Sequence, residues 1–170
     1  MQIAETNRLT LSKINTDDAA FILELMNTPG WLKFIGDRNI KTVESAVDYI
    51  KNNQLKCYEK LGFGYYKMQV KSEELKSIGT CGLLKRDNLE HVDIGFSIRP
   101  EYHGKGYGYE AVNEIMKLAK TEFGIKTICA ITLPTNQSSI NLLKKLGVSY
   151  QKTVKPFDDN EELLLFAKNL

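Results

Sequence analysis

Arg99-Pro100-Glu101-Tyr102-His103-Gly104-Lys105-Gly106-Tyr107-Gly108-Tyr109-Glu110-Ala111 is the stretch that decides how this chain is read. Three alternate glycines, Gly104, Gly106 and Gly108, allow a tight turn and a close approach of the main chain to a ligand. Upstream, Val92, Ile94, Phe96 and Ile98 alternate with His91, Asp93, Gly95 and Ser97, which predicts a strand that Pro100 ends. Downstream, Ala111, Ile115, Leu118 and Ala119 recur at helical spacing, which predicts a helix from about Gly106 to Phe123. A helix start offers unpaired N–H groups and a partial positive charge, so strand, glycine turn and helix together suit a phosphate. Lys105 adds a mobile cation.

Outward from this stretch the other elements follow by their periods. Arg8 to Ile14 alternates as a strand. Asn15-Thr16-Asp17-Asp18 caps a helix through Ala19, Ile22, Leu25 and Met26, which Pro29-Gly30 breaks, leaving Trp31 to Ile35 as an apolar turn. Thr42 with Ser45 resembles a capping box, opening a helix to about Leu61, where Gly62 stops it. Phe63–Lys71, Ser77–Lys85 and His91–Ile98 read as a three-strand meander. Thr127–Thr132 is a short strand, Pro134 to Gln137 starts a helix ended by Gly147, and Val148–Lys155 pairs with Glu162–Lys168 as a hairpin. The meander predicts an antiparallel half, and the strand-helix-strand passage from 91 to 132 predicts a parallel junction. The expected fold is α/β (α+β), a mixed, mostly antiparallel sheet of six to seven strands flanked by helices, with residues 1–170 as a single domain.

Composition narrows the function. A net charge of +2 on 170 residues makes no basic field for nucleic acid. No apolar run approaches a membrane span, and Met1-Gln2-Ile3-Ala4-Glu5 does not begin a signal peptide. Cys57, Cys81 and Cys129 are scattered, as expected of free thiols in a cytoplasmic protein. With only His91 and His103 as histidines, no metal site is expected. The glycine string is not a dinucleotide fingerprint, because it lies late in the chain with the wrong spacing, nor a P-loop, because no Ser or Thr follows Gly104-Lys105.

Two motifs carry a resemblance over almost the whole chain. Val92 to Ala111 places His103, Gly106 and Gly108 on a signature of Gln or Arg, two residues, Gly, one residue, then Gly or Ala. Asn136-Gln137-Ser138-Ser139 leads to Lys145-Leu146-Gly147-Val148. In these the chain resembles the GNAT N-acetyltransferase superfamily, and more closely the ribosomal-protein N-terminal acetyltransferases of the RimJ/RimL type. His103 departs from the usual Gln or Arg and Val148 from Phe. Leu143 stands where many members carry a tyrosine acid.

The resemblance implies the GNAT fold, splayed at its central strands, with acetyl-CoA as co-substrate. Its diphosphate would rest on the amides of Gly104, Lys105, Gly106, Tyr107, Gly108 and Tyr109, with His103 and Lys105 beside it. Its pantetheine arm would pair like an added strand with Phe96, Ser97 and Ile98, and Asn136 would reach it from the neighbouring strand. Asn136 also reads as a plain helix cap. The reaction would be direct transfer to a primary amine of a peptide N-terminus or a small molecule. Asp93 is the candidate general base, with Glu90 and His91 behind it and a simple salt bridge as its other reading. Ser139 is the candidate acid for the thiolate, or a local cap. Trp31, Phe34 and Arg38 would line the amine pocket, or form a local cluster with an Asp37-Arg38 pair. A monomer or homodimer is expected. The rival classes are a non-catalytic acyl-CoA-binding or sensing domain of the same fold, and a nucleotide-binding domain.

Overall fold

The computed structural model describes residues 1–170. Eight strands form one sheet: β1 (Gln2–Glu5), β2 (Leu9–Lys13), β3 (Tyr65–Val70), β4 (Lys76–Leu84), β5 (Val92–Ile98), β6 (Thr127–Thr132), β7 (Ser149–Val154) and β8 (Leu163–Asn169). Their order is β1-β2-β3-β4-β5-β6-β8-β7. Only β5 and β6 run parallel, as the crossover through the helix between them requires. The expected six to seven strands become eight because of β1. Its four residues are too few to show a period, and pairing with β2 is what makes them a strand.

Helices cover both faces: α1 (Ala19–Met26), α2 (Pro29–Phe34), α3 (Val43–Tyr49), α4 (Lys56–Leu61), α5 (Tyr107–Thr121) and α6 (Gln137–Lys145). The apolar stripe of α5, Ala111, Val112, Ile115, Met116 and Ala119, shares the main core with Leu9, Leu11, Met68, Ile78, Leu83 and Ile94. Leu9 and Leu11 reach it because alternate residues of β2 face one way. Ile140, Leu143 and Leu146 bring α6 into the same core. A smaller cluster, Ile14, Ala19, Ile22, Met26, Ala46 and Ile50, ties α1 to α3 and to the chain at the end of β2.

Two local readings are corrected. Pro29 does not leave a turn behind it. It opens α2, with Thr28 as cap accepting the Trp31 N–H at 3.4 Å, because a first-turn proline gives up an N–H that has no helical partner anyway. The long helix from Thr42 is interrupted by a wider π-type turn at Ile50–Leu55, which buries Gln54. The capping box itself forms. Thr42 Oγ1 accepts the Ser45 N–H at 3.1 Å, and Ser45 Oγ accepts the Thr42 N–H at 3.0 Å.

The feature that matters for function is a parting of strands. β5 and β6 are register partners only at Val92↔Ile128 and Asp93↔Cys129. Beyond that point β5 stays with β4 as far as Ile98, while β6 stays with β8 to Thr132. A wedge opens between them.

Candidate active site in the wedge between two strands

Strand register decides which main-chain groups face the wedge. The Arg99 N–H donates to the Ile78 carbonyl at 2.8 Å, so position 99 turns toward β4. In an antiparallel pair this alternates, so Ser97 bonds with its register partner Thr80. Phe96 and Ile98 turn their N–H and C=O groups the other way, into the wedge. The expectation that Phe96, Ser97 and Ile98 all serve an arm laid along β5 is corrected for the main chain of Ser97, whose groups are used by the sheet.

His103 acts on the same edge. Its Nε2 lies 2.7 Å from the Ile98 carbonyl oxygen. A carbonyl only accepts, so Nε2 carries the proton. The exposed residue that breaks the family signature is therefore tied to the strand edge rather than aimed away from it.

Past His103 the chain winds through Gly104 (φ 73°) and Gly106 (φ 82°), both in the left-handed region that glycine favours. None of the N–H groups from Gly104 to Tyr109 finds a main-chain acceptor. Some belong to the first turn of α5, which has no preceding turn to bond to. The loop and helix start thus present a run of unpaired donors backed by the helix dipole, a set suited to an anion. Lys105 is exposed, its ammonium 5.0 Å from the centre of the Tyr102 ring.

On the opposite wall, Asn136 caps α6. Its Oδ1 accepts the Ser139 N–H at 3.2 Å, which leaves the Nδ2 group uncommitted. Ser139 sits half-buried in the first turn of α6, with its hydroxyl making no hydrogen bond to the chain. Leu143 is buried in the main core and supplies no acid.

Asp93 stands where the strands part, only 3% exposed. Arg86 Nε donates to its Oδ2 at 2.8 Å. Burial pushes the Asp93 pKa up to about 6, while the Arg86 charge and hydrogen bond and the Ile131 amide pull it down. Burial also opposes the Arg86 charge, but Asp93 outweighs it and holds the guanidinium pKa above its ordinary value. Around them lie Tyr65, half-buried with its phenol pKa raised by burial and then by Asp93, and Cys129, pushed up to about 12 by the same two causes. The other wall of Arg86 is Phe157, whose ring centre is 5.6 Å from the guanidinium carbon. Asp93 is thus salt-bridged, at the point where β5 and β6 part.

Arg86, Tyr65 and Gln54 carried no signal in the sequence. Arg86 lay in a charged turn, Tyr65 in a weakly alternating strand, and Gln54 in a helix whose π-type turn no residue pattern announces. Of the acceptor-side candidates, Trp31 packs on the smaller core, and its buried Nε1 has no partner. Phe34 is half-buried at the end of α2. Arg38 is exposed, and its charge, with that of Arg86, bears on the Tyr49 phenol. The expected Asp37-Arg38 pair is replaced by Asp37-Lys41, 3.0 Å apart. No group of three or more His, Cys, Asp and Glu residues is arranged to hold a metal ion. No helix is long and apolar enough to cross a membrane.

The family model described as acetyltransferase (GNAT) domain matches residues 8–149. An uncharacterized N-acetyltransferase of Bacillus subtilis (strain 168), YoaA, is 26% identical over 156 residues, covering 91% of this chain and 87% of that protein. The uncharacterized N-acetyltransferase p20 of Bacillus licheniformis is 29% identical over 153 residues, covering 89% and 84%. Among solved structures, a ribosomal L7/L12 α-N-protein acetyltransferase, RimL, in complex with coenzyme A superposes with a TM-score of 0.82 at 12% identity, covering 100% of this chain and 98% of that one. At that identity the likeness is one of fold.

Proposed function

The chain belongs to the GNAT acetyltransferase family, and on that premise we propose that residues 1–170 act as one acetyl-CoA-dependent N-acetyltransferase domain for a primary amine. The observation that carries this reading is the wedge with the unpaired donors from Gly104 to Tyr109 at its end. The donor set fits a diphosphate: several N–H groups converge behind left-handed glycines, and no carboxylate lies within Gly104 to Tyr109. The RimL structure with coenzyme A supports the same choice of donor.

Acetyl-CoA, when bound, supplies an activated acetyl thioester. The chain's own residues do the rest. The amides of Gly104 to Tyr109 hold the diphosphate. Phe96 and Ile98 offer main-chain groups to the pantetheine arm as a strand edge would, and the free Nδ2 of Asn136 reaches it from the other wall. Asp93 accepts the proton of the amine at its carboxylate, directly or through a water. With a pKa of about 6 it is mostly ionised at neutral pH yet basic enough to take a proton. The Ser139 hydroxyl delivers a proton to the departing thiolate. Trp31, Phe34 and Arg38 face the incoming amine.

The finer reading, a RimJ/RimL-type enzyme acting on protein N-termini, draws support from the RimL fold likeness and from the ionisation of the acceptor. A peptide α-amine has a pKa of about 7.7–8.0, so much of it is already neutral at pH 7, and a weak base such as Asp93 suffices. Free Cys57, Cys81 and Cys129 support a reducing, cytoplasmic setting. The deciding experiment is titration of acetyl-CoA into the protein, followed by a thiol-release screen over peptides and small amines with mass-spectrometric detection of the product. Tight binding with turnover on peptide N-termini is the expected result. Binding without turnover on any acceptor would favour the sensing domain.

A further inference from the structure

We infer that Arg8, at the entry to β2, is a positioning residue for the diphosphate loop. The inference rests on the proposed reading of that loop. Arg8 lies far from the loop in sequence, and the fold brings the two together. Its Nη1 donates to the Lys105 carbonyl at 2.8 Å, and its Nε donates to Glu110 Oε2 at 2.7 Å. Its main-chain N–H donates to Glu110 Oε1 at 2.8 Å, an oxygen that also accepts from the Thr6 hydroxyl. The guanidinium carbon sits 4.5 Å from the centre of the Tyr107 ring. Burial works against the charge of Glu110, yet the hydrogen bonds from Thr6 and Arg8 hold its pKa below its ordinary value, so the anchor stays ionised at neutral pH.

The Lys105 carbonyl is the informative contact. Lys105 lies between two left-handed glycines, where the adjoining peptide planes are freest to turn over. The peptide unit is planar and trans, so its C=O and the next N–H point in opposite directions. By holding the Lys105 carbonyl outward, Arg8 aims the Gly106 N–H the other way, into the run of donors. A flipped plane would put a carbonyl oxygen against a diphosphate. A guanidinium meets Lys105 and Glu110 through separate donors fixed in one plane, an arrangement that the rotatable ammonium of a lysine does not pre-organise.

The test compares coenzyme A by calorimetric titration with pantetheine, which lacks the diphosphate and the 3′-phosphoadenosine beyond it, and with dephospho-coenzyme A, which keeps the diphosphate and is expected to follow coenzyme A. The wild-type protein is expected to bind coenzyme A at least about a hundredfold more tightly. Arg8→Ala is expected to weaken coenzyme A at least tenfold and leave pantetheine unchanged, with Arg8→Lys close to Arg8→Ala. A merely structural role would weaken coenzyme A and pantetheine by the same factor, and that result overturns the inference, as does an Arg8→Ala protein that binds coenzyme A normally. If the wild-type protein itself does not distinguish dephospho-coenzyme A from pantetheine, the diphosphate reading of the loop has failed and the role of Arg8 falls with it.

Discussion

Replacing Arg86 with methionine tests the wedge at its base, because it removes one charge and leaves the apolar stem against Phe157. Asp93 is buried, and its pKa stands at about 6 against an ordinary 3.8, with burial raising it and Arg86 restraining it. The sign follows from proton linkage. A carboxyl whose folded pKa is raised contributes stability that is fully present below the unfolded pKa and is lost as pH rises through the folded one. In the wild-type protein that loss amounts to about 3 kcal/mol and is complete just above pH 6. Without Arg86 only the Ile131 amide still opposes burial, and the folded pKa moves to the alkaline side. The loss then continues at about 1.4 kcal/mol per pH unit until the new pKa is passed.

The gap in stability between wild type and Arg86→Met is therefore expected to depend on pH. Below pH 5 both proteins carry a neutral Asp93, and the gap is about 1 kcal/mol for one lost hydrogen bond. By pH 8 it reaches about 3–4 kcal/mol, the range for breaking a buried ion pair. Urea unfolding at pH 5, 6, 7 and 8 measures it. Repeating the comparison on an Asp93→Asn background should flatten the gap, which isolates the pair from any general damage. A gap that stays constant from pH 5 to 8 in the native background would refute the claim that Arg86 governs Asp93. Activity follows the same logic. If Asp93 is the base, the acidic limb of kcat/KM near pH 6 moves to higher pH in Arg86→Met.

Two further substitutions probe the β4–β5 pairing and the start of α6. A Cβ at Gly79 would meet the Ser97 carbonyl oxygen at 2.2 Å and the Ile98 Cα at 2.9 Å, main-chain atoms that have no rotamer to yield; Gly79→Ala should cost about 3 kcal/mol, seen as a lower urea midpoint, and an unchanged midpoint would contradict the β4–β5 register. Ser139→Ala should lower kcat by about 10²-fold while coenzyme A affinity stays within about threefold, and an unchanged kcat would leave Ser139 as a first-turn residue of α6 only.

The glycine loop and the strand before it were legible in the sequence and the surroundings of Asp93 were not, and the reason is physical. Gly104 and Gly106 announce a left-handed main chain, and alternation from Val92 to Ile98 announces a strand, so a loop of main-chain donors follows from local chemistry alone. Even there, Ser97 was misjudged. Alternation of side chains says which face a residue occupies, whereas the direction of its N–H and C=O depends on the hydrogen-bonding phase with β4, which the bond from Arg99 to Ile78 sets. The strand count failed at β1 for a related reason, since four residues define a strand only through a partner.

The surroundings of Asp93 depend on side chains brought together from distant places. Arg86 comes from a turn, Tyr65 from β3, and Phe157 from the hairpin beyond β7; none belongs to a motif. Asp93 was readable as a candidate because it is the one carboxylate on the face of the strand opposite the apolar stripe, where it needs a partner or a task. Arg86 is that partner, and the pair leaves the carboxyl able to titrate. A cation at 2.8 Å keeps the buried carboxyl from staying neutral at pH 7, and burial keeps it from becoming too weak a base to use. The salt bridge that first looked like the bland alternative to catalysis is thus the device that would set its pH range, which is why the Arg86 substitution, rather than removal of Asp93 itself, separates the two roles.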